Sequence, residues 1–107
     1  MIYKFKSKAG ADVIMMGPPG DQILRLLGRE SGGQGILTNE QMPAALAALE
    51  QAISDDEAAF AKAQAEARTA GETVPRREGV SLRQRAWPLI ELMRRAQQGG
   101  HDVVWGV

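Results

Sequence analysis

Residues 79–107 read GVSLRQRAWPLIELMRRAQQGGHDVVWGV, and this stretch decides the fold. Ser81 is followed three residues later by Gln84, which is the spacing of a capping box at a helix start. Apolar residues then recur on one helical face, at Leu82, Ala86, Leu89, Ile90, Met93 and Ala96. Two glycines end the helix, and residues 102–105 form a β-branched and aromatic run typical of a strand. The stretch therefore predicts a helix followed by a core strand.

The other end of the chain predicts a β-hairpin. Residues 2–7 alternate with period two, so Tyr3 and Phe5 share one face and two lysines share the other. Residues 12–16 form a second short strand. Together with residues 102–105, the hairpin predicts a small antiparallel sheet of three strands, with the last strand next to the first.

A short helix is expected after the hairpin. Gly17-Pro18-Pro19-Gly20 indicates a turn that stops the strand, and Asp21 is a suitable N-cap for a helix over 22–27. A phosphate-binding loop is disfavoured here, because the prolines remove two N–H donors and Asp21 puts a negative charge where an anion would lie. We therefore interpret this segment as a structural turn.

The middle of the chain predicts one long helix over about 42–70. Its apolar residues step alternately by four and three, with one polar interruption, at Met42, Leu46, Leu49, Ile53, Asp56, Phe60, Ala63, Ala67 and Ala70. Thr38 and Gln41 have capping-box spacing just before it. Ser54 and Glu57 could instead begin a second helix, but the pattern keeps its phase across them, so we favour a continuous helix.

These elements define one α+β domain over residues 1–107. We predict two layers with the element order β-β-α-α-α-β, in which a short helix and an antiparallel pair of longer helices cover the three-stranded sheet. Such a small sheet leaves open edges, so we expect self-association, with a homodimer as the simplest form.

Composition narrows the class of protein. There is no cysteine, no leader-like apolar stretch and no window apolar enough to span a membrane, so we expect a cytoplasmic protein without a membrane partner. The formal net charge is zero, but residues 39–72 carry −5 and residues 76–95 carry +4. Two neighbouring helices that attract each other explain this division, and a basic patch for an anionic partner is the alternative.

The candidate partner-binding or anion-binding residues all lie in that basic stretch. They are Arg76, Arg77, Arg83, Arg85, Trp87, Arg94 and Arg95. On a straight helix Trp87 lies roughly 140° from the centre of the apolar face, beside the arginines. Pro88, however, is expected to kink the helix or split it after Trp87, which would turn the indole inward. We favour the inward position, because a small domain with few aromatic residues rarely leaves a tryptophan on its surface.

No catalytic, metal-binding or cofactor-binding set emerges from the sequence. His101 is the only histidine, and its neighbour Asp102 points to the opposite face of an extended segment. No spacing couples the histidine to a serine hydroxyl, and the acidic cluster at 55–57 has no softer ligands beside it. The glycine-rich loop with Glu30, Ser31 and Gln34 reads as a solvated loop rather than a binding lid.

With this pattern established, the chain resembles the domain of unknown function 1840 family of small bacterial proteins. The resemblance rests on MIYKFKS at 1–7 with ADV at 11–13, GILTNEQMP at 35–43, VSLRQRAWP at 80–88 and DVVWGV at 102–107. It implies a bacterial, cytoplasmic, single-domain protein, and it supplies no activity, substrate or cofactor.

Three functions follow as hypotheses. The first is a non-enzymatic interaction or self-association module that pairs through the sheet edge or the alanine side of the long helix. The second is binding of nucleic acid or another polyanion through the basic region Arg76–Arg95, which the neutral total charge disfavours. The third is an enzyme that acts on a small anionic substrate.

Overall fold

The computed structural model describes residues 2–30, 32–77 and 79–106, which form a four-stranded antiparallel sheet and three helices. In chain order the elements are β1 (Ile2–Ser7), β2 (Gly10–Met16), α1 (Gly17–Leu26), β3 (Gly35–Leu37), a 3-10 turn (Asn39–Gln41), α2 (Met42–Ala70), α3 (Leu82–Gly99) and β4 (Val103–Trp105). The predicted α+β class is confirmed.

The predicted number of strands is wrong, because β3 was missed. The strands lie in the order β2-β1-β4-β3, so β4 pairs with β1, as predicted, and also with β3. The register places Ile36 of β3 opposite Val104. A three-residue strand that begins with glycine is too short to show period-two alternation, so the sequence pattern does not reveal it.

The sheet buries one face and leaves the other uncovered. Tyr3 and Phe5 are buried on the helix side, and the Phe5 ring lies 5.8 Å from the ring of Trp105, centre to centre. Further buried residues from the strands are Met15, Leu37, Val103 and Trp105. The alternation of β1 therefore sets the core as predicted, and the helices supply its second layer.

The long helix is continuous, as favoured from the sequence. α2 buries Met42, Leu46, Leu49 and Ile53 and ends at Gly71 in the left-handed conformation, with φ 71°. Because α3 begins opposite Glu57, residues 58–70 of α2 extend beyond α3, and we call them the α2 arm. The returning chain accompanies the arm, with Nε2 of Gln64 donating to the Pro75 carbonyl at 3.1 Å.

The start of α1 differs from the prediction. The helix begins at Gly17, with the two prolines in its first turn, where a missing N–H removes no helical hydrogen bond. Asp21 therefore lies inside the helix instead of capping it, and its carboxylate accepts a hydrogen bond from the Tyr3 hydroxyl. Gly20 lets α1 cross the sheet closely, because a side chain there would overlap the Tyr3 ring.

α3 starts as predicted but does not break at Pro88. The Gln84 N–H donates to Oγ of Ser81 at 3.2 Å, and the Ser81 N–H donates back to Oε1 of Gln84 at 3.1 Å, which is the predicted capping box. The helix then runs through Pro88 to Gly99. A split after Trp87 is therefore wrong.

Candidate functional site

Basic residues of α3 face acidic residues of α2, so the two oppositely charged segments of the sequence form ion pairs between these helices. Arg83 donates from Nε and Nη2 to the two carboxylate oxygens of Glu57, at 3.0 and 2.6 Å. Arg94 donates to Glu50 at 2.7 Å and to Glu91 at 3.2 Å. The order of these pairs along the two helices confirms that α2 and α3 are antiparallel.

The same pairing extends into the segment before α3. Arg77 lies 3.2 Å from the carboxylate of Asp56, and its guanidinium lies over the Phe60 ring, 4.5 Å from the centre. The Arg83 hydrogen bonds lower the pKa of Glu57, and the Glu57 carboxylate raises the pKa of Arg83. The charges of Arg77, Arg83 and Arg94 thus serve the contact between the helices.

The remaining candidate arginines do not converge with these three on one concave surface. Arg76 and Arg85 are exposed and take no part in the ion pairs found among the described residues. The guanidinium of Arg95 lies beside Gly10 at the turn between β1 and β2. The predicted set is therefore divided between an interhelical contact and separate surface positions.

Trp87 lies on the surface, so the expected inward position is wrong. Its side chain is 44% exposed, and the Arg94 guanidinium lies 5.3 Å from its ring centre. Because α3 continues through Pro88, the helical angle places the indole outside the apolar face, as the straight-helix geometry indicates. Trp87 lines a shallow cavity together with Arg83, Gln84 and Pro88.

The uncovered face of the sheet carries a cluster of apolar side chains that the sequence reading did not single out. Ile2, Ile14 and Met16 are 60%, 61% and 62% exposed, and the register pairs Ile2 with Met16. Ile36 is 43% exposed but lies on β3, at the opposite edge of the sheet, and is not part of this cluster. The period-two pattern contained this signal, because the residues that alternate with the buried ones in β1 and β2 include large apolar side chains as well as lysines.

The two edges of the sheet differ in length and in protection. β3 forms one edge and is only three residues long, whereas β2 forms the other and has seven. The first part of β2 is irregular, since the register shifts between Phe5 and Ser7 of its partner strand. Natural sheet edges are protected by bulges, charges or prolines, and residues 13–16 carry none of these.

A second concave surface lies where the β1–β2 turn approaches the end of α3. This cavity has a volume of about 500 Å³ and is lined by Lys6, Ser7, Lys8, Val104 and residues 100–102. We call it the turn cavity. It brings together two lysines and the only histidine, none of which belongs to the predicted basic region.

Two serine hydroxyls and the carboxylate beside the histidine have structural partners. Oγ of Ser7 accepts from the Ala9 N–H at 3.2 Å, and Ser81 caps α3. Oδ1 of Asp102 accepts from the Asn39 N–H at 2.8 Å. Within residues 2–30, 32–77 and 79–106, no group of three His, Cys, Asp or Glu side chains is placed to hold a metal ion.

The glycine-rich loop is attached to the core through Tyr3. The Gly32 N–H donates to the Tyr3 hydroxyl, which itself donates to Asp21. Ser31, named with this loop in the sequence reading, lies outside the described residues.

Comparison with protein families supplies the affiliation. The model of the family described as Domain of unknown function (DUF1840) matches residues 1–105. The chain belongs to this family. The match includes the segments on which the resemblance rested, except the final Gly106 and Val107. Searches of curated proteins and of solved structures found no match. No helix in the described part of this DUF1840 member is long and apolar enough to cross a membrane.

Proposed function

We propose that this chain is a non-enzymatic interaction module that pairs with a second copy of itself through the edge of β2. The observation that carries the proposal is the combination of an unprotected edge strand with exposed apolar side chains on it. Residues 13–16 are the part of β2 that has no bulge, charge or proline, and they include the exposed side chains of Ile14 and Met16. We place it in the bacterial cytoplasm: the family resemblance implies a bacterial source, and a chain without cysteine fits a reducing compartment.

The backbone supplies the directional part of the proposed contact. An edge strand presents N–H and C=O groups that a further strand can pair with. Two β2 strands related by a two-fold axis run antiparallel, so each copy offers the same surface to the other. The two four-stranded sheets would then form one continuous sheet.

The side chains supply the apolar part. Ile2 adjoins Met16 across β1 and β2, so pairing at this edge would bring together an apolar cluster from each copy. Burial of apolar area contributes roughly 25 cal/mol per Å². Lys4, which lies opposite Ile14 in the register, would remain toward the centre of each sheet.

Light scattering coupled to size-exclusion chromatography tests the proposal. We expect the wild-type chain to elute with the mass of a dimer at micromolar concentrations and Ile14→Lys to elute as a monomer. Val80→Lys is the matched control, because Val80 is 53% exposed but lies two residues before α3 and belongs to no strand. It should remain dimeric.

A competing arrangement pairs the alanine sides of two α2 arms. Ala63 is exposed on that arm, and Ala63→Glu tests it. Loss of the dimer in Ala63→Glu but not in Ile14→Lys would show that the dimer contact lies on the α2 arm and not on β2. A wild-type chain that is strictly monomeric throughout the micromolar range would overturn self-association altogether.

Polyanion binding through Arg76–Arg95 has weaker support from the geometry. Three of its arginines pair with Asp56, Glu57 and Glu50 of α2, so a polyanion would have to compete with these carboxylates. Titration with single-stranded nucleic acid at low and high salt tests this alternative, since binding by counterion release weakens steeply with salt.

A further inference from the structure

The turn cavity is suited to an anion because its two lysines take no part in the ion pairs found among the described residues. Lys6 and Lys8 approach it from β1 and the following turn, and His101 approaches from the segment after α3. The ion pairs found in the described chain use other residues, from α2, α3 and the segment between them. Arg95 adds a further positive charge at the same end of the molecule, beside Gly10.

Asp102 also lines the cavity and adds one negative charge, so the two lysines leave the lining with a net positive charge. The Asp102 carboxylate accepts from the Asn39 N–H at 2.8 Å. The carbonyls at the end of α3 would repel an anion through the helix dipole, but that of Ala96 accepts from the His101 N–H at 2.8 Å. The Asn39 side chain also donates to the carbonyl of Gln97, at 3.2 Å.

From these contacts we infer that the turn cavity binds a small organic phosphomonoester. Lysine ammonium groups act as point charges for phosphate, and two of them match a dianion. The volume of about 500 Å³ lies within the range of small-molecule sites and is large enough for an organic group beside the phosphate. Val104 gives the cavity an apolar wall for that group.

This inference does not depend on pairing through β2. Of the cavity residues, Lys6 lies on β1 and Val104 on β4, both inside the sheet rather than on its β2 edge. A monomeric chain could therefore bind the phosphomonoester, and a dimeric chain could fail to do so.

Nuclear magnetic resonance titration of the full chain tests the site with three probes: inorganic phosphate, phenyl phosphate and succinate. We expect saturable shifts of the amide resonances of residues 6–8 and 100–102, with phenyl phosphate binding more tightly than inorganic phosphate. The Lys6→Gln/Lys8→Gln variant should bind phenyl phosphate at least tenfold more weakly, and His101→Gln should weaken binding severalfold.

Lys62→Gln/Arg68→Gln is the matched control, because it removes two positive charges from the exposed side of the α2 arm. It should bind phenyl phosphate like the wild type. Circular dichroism of each variant identifies any loss of folding, and the wild-type shift pattern tests the site without any substitution. The inference is overturned if shifts do not saturate, if they fall on Arg83 and Arg94 instead, or if the control loses as much affinity as the lysine variant. Equal affinity for succinate would overturn the choice of phosphate.

Discussion

At the scale of single residues, Gly35 is a position where only hydrogen fits. A methyl group there would overlap the six-membered ring of Trp105, which is 1% exposed and cannot move outward without opening the core. We expect Gly35→Ala to lower the free energy of unfolding by about 1–3 kcal/mol, as for other overpacked sites. Urea unfolding measures this.

Gly10→Ala is the control for that substitution. Its added methyl would meet the end of the Leu92 side chain at 3.3 Å, and a flexible side chain can adjust. A loss of stability in Gly10→Ala equal to that in Gly35→Ala would contradict the argument from the indole ring.

Tyr3 is the second residue with a specific expectation, because its hydroxyl joins β1, α1 and the glycine-rich loop. The hydrogen bond to Asp21 raises the pKa of this phenol, and burial raises it further. A folded-state pKa above the unfolded value means that the protonated phenol contributes stability below a pH of about 10. This contribution is lost as the pH rises through the folded-state pKa.

Tyr3→Phe should therefore be less stable than the wild type by about 1–2 kcal/mol at pH 8 and should lose less further stability between pH 9 and 11. Tyr3 is the only tyrosine, so comparison with this variant isolates its titration from that of the lysines. Urea unfolding across this pH range is the measurement. Parallel stability curves for the two chains would show that the hydroxyl contacts do not couple titration to folding.

At the scale of elements, the core side of α2 packs mainly against α3, which in turn contacts the sheet. Leu49 is fully buried, and Leu49→Ala should reduce stability by about 2–5 kcal/mol through lost burial and the remaining cavity. Val80→Ala, at a position 53% exposed, should change it by less than about 0.5 kcal/mol. Equal melting temperatures for Leu49→Ala and the wild type would mean that this face of α2 is not packed.

Replacement of Pro88 is expected to increase the stability of the protein, unlike the substitutions described above. It is exposed inside α3, where it cannot donate to the helix. We expect Pro88→Ala to raise the free energy of unfolding by roughly 1–3 kcal/mol, since alanine restores the backbone hydrogen bond. Thermal unfolding measures it. Destabilisation would instead indicate that the proline ring contributes packing, or that it restricts the conformations of the unfolded chain.

The elements that follow from periodicity were predictable, and those that depend on distant contacts were not. The alternation around Tyr3 and Phe5 and the regular steps from Met42 to Ile53 each predicted an element and its buried face. β3 was not predicted because its pairing partner, β4, lies almost seventy residues away along the chain. Trp87 was misplaced because tertiary contacts allow a proline that local propensity would exclude.

The candidate site was predictable only in its charges. The acidic and basic segments correctly indicated two attracting helices, and the capping signals located α3. The turn cavity could not be foreseen, because Lys6 and His101 are brought together only when β4 pairs with β1. Sequence spacing carries no information about such a contact without knowledge of the strand order.

At the scale of the whole molecule, β4 joins the two halves of the sheet. A chain that lacks residues 103–107 loses the shared partner of β1 and β3, together with the buried side chains of Val103 and Trp105. We expect it to lose its cooperative melt. The Val104→Ala variant, changed on the other face of the same strand, should keep a cooperative melt. A native-like melt of the shortened chain would show that β4 is an appendage.

The position of β4 in the sequence also determines the order in which the strands can pair during synthesis. During synthesis, residues 2–16 leave the ribosome early and can close their hairpin locally, and α2 can form its turns soon after. The middle of the sheet stays vacant until residues 103–105 emerge, about a hundred residues after the strand they must join. Until then the nascent chain carries the apolar side chains of Phe5 and Leu37 without their final neighbour, and completing the sheet requires a long-range insertion of β4 between β1 and β3.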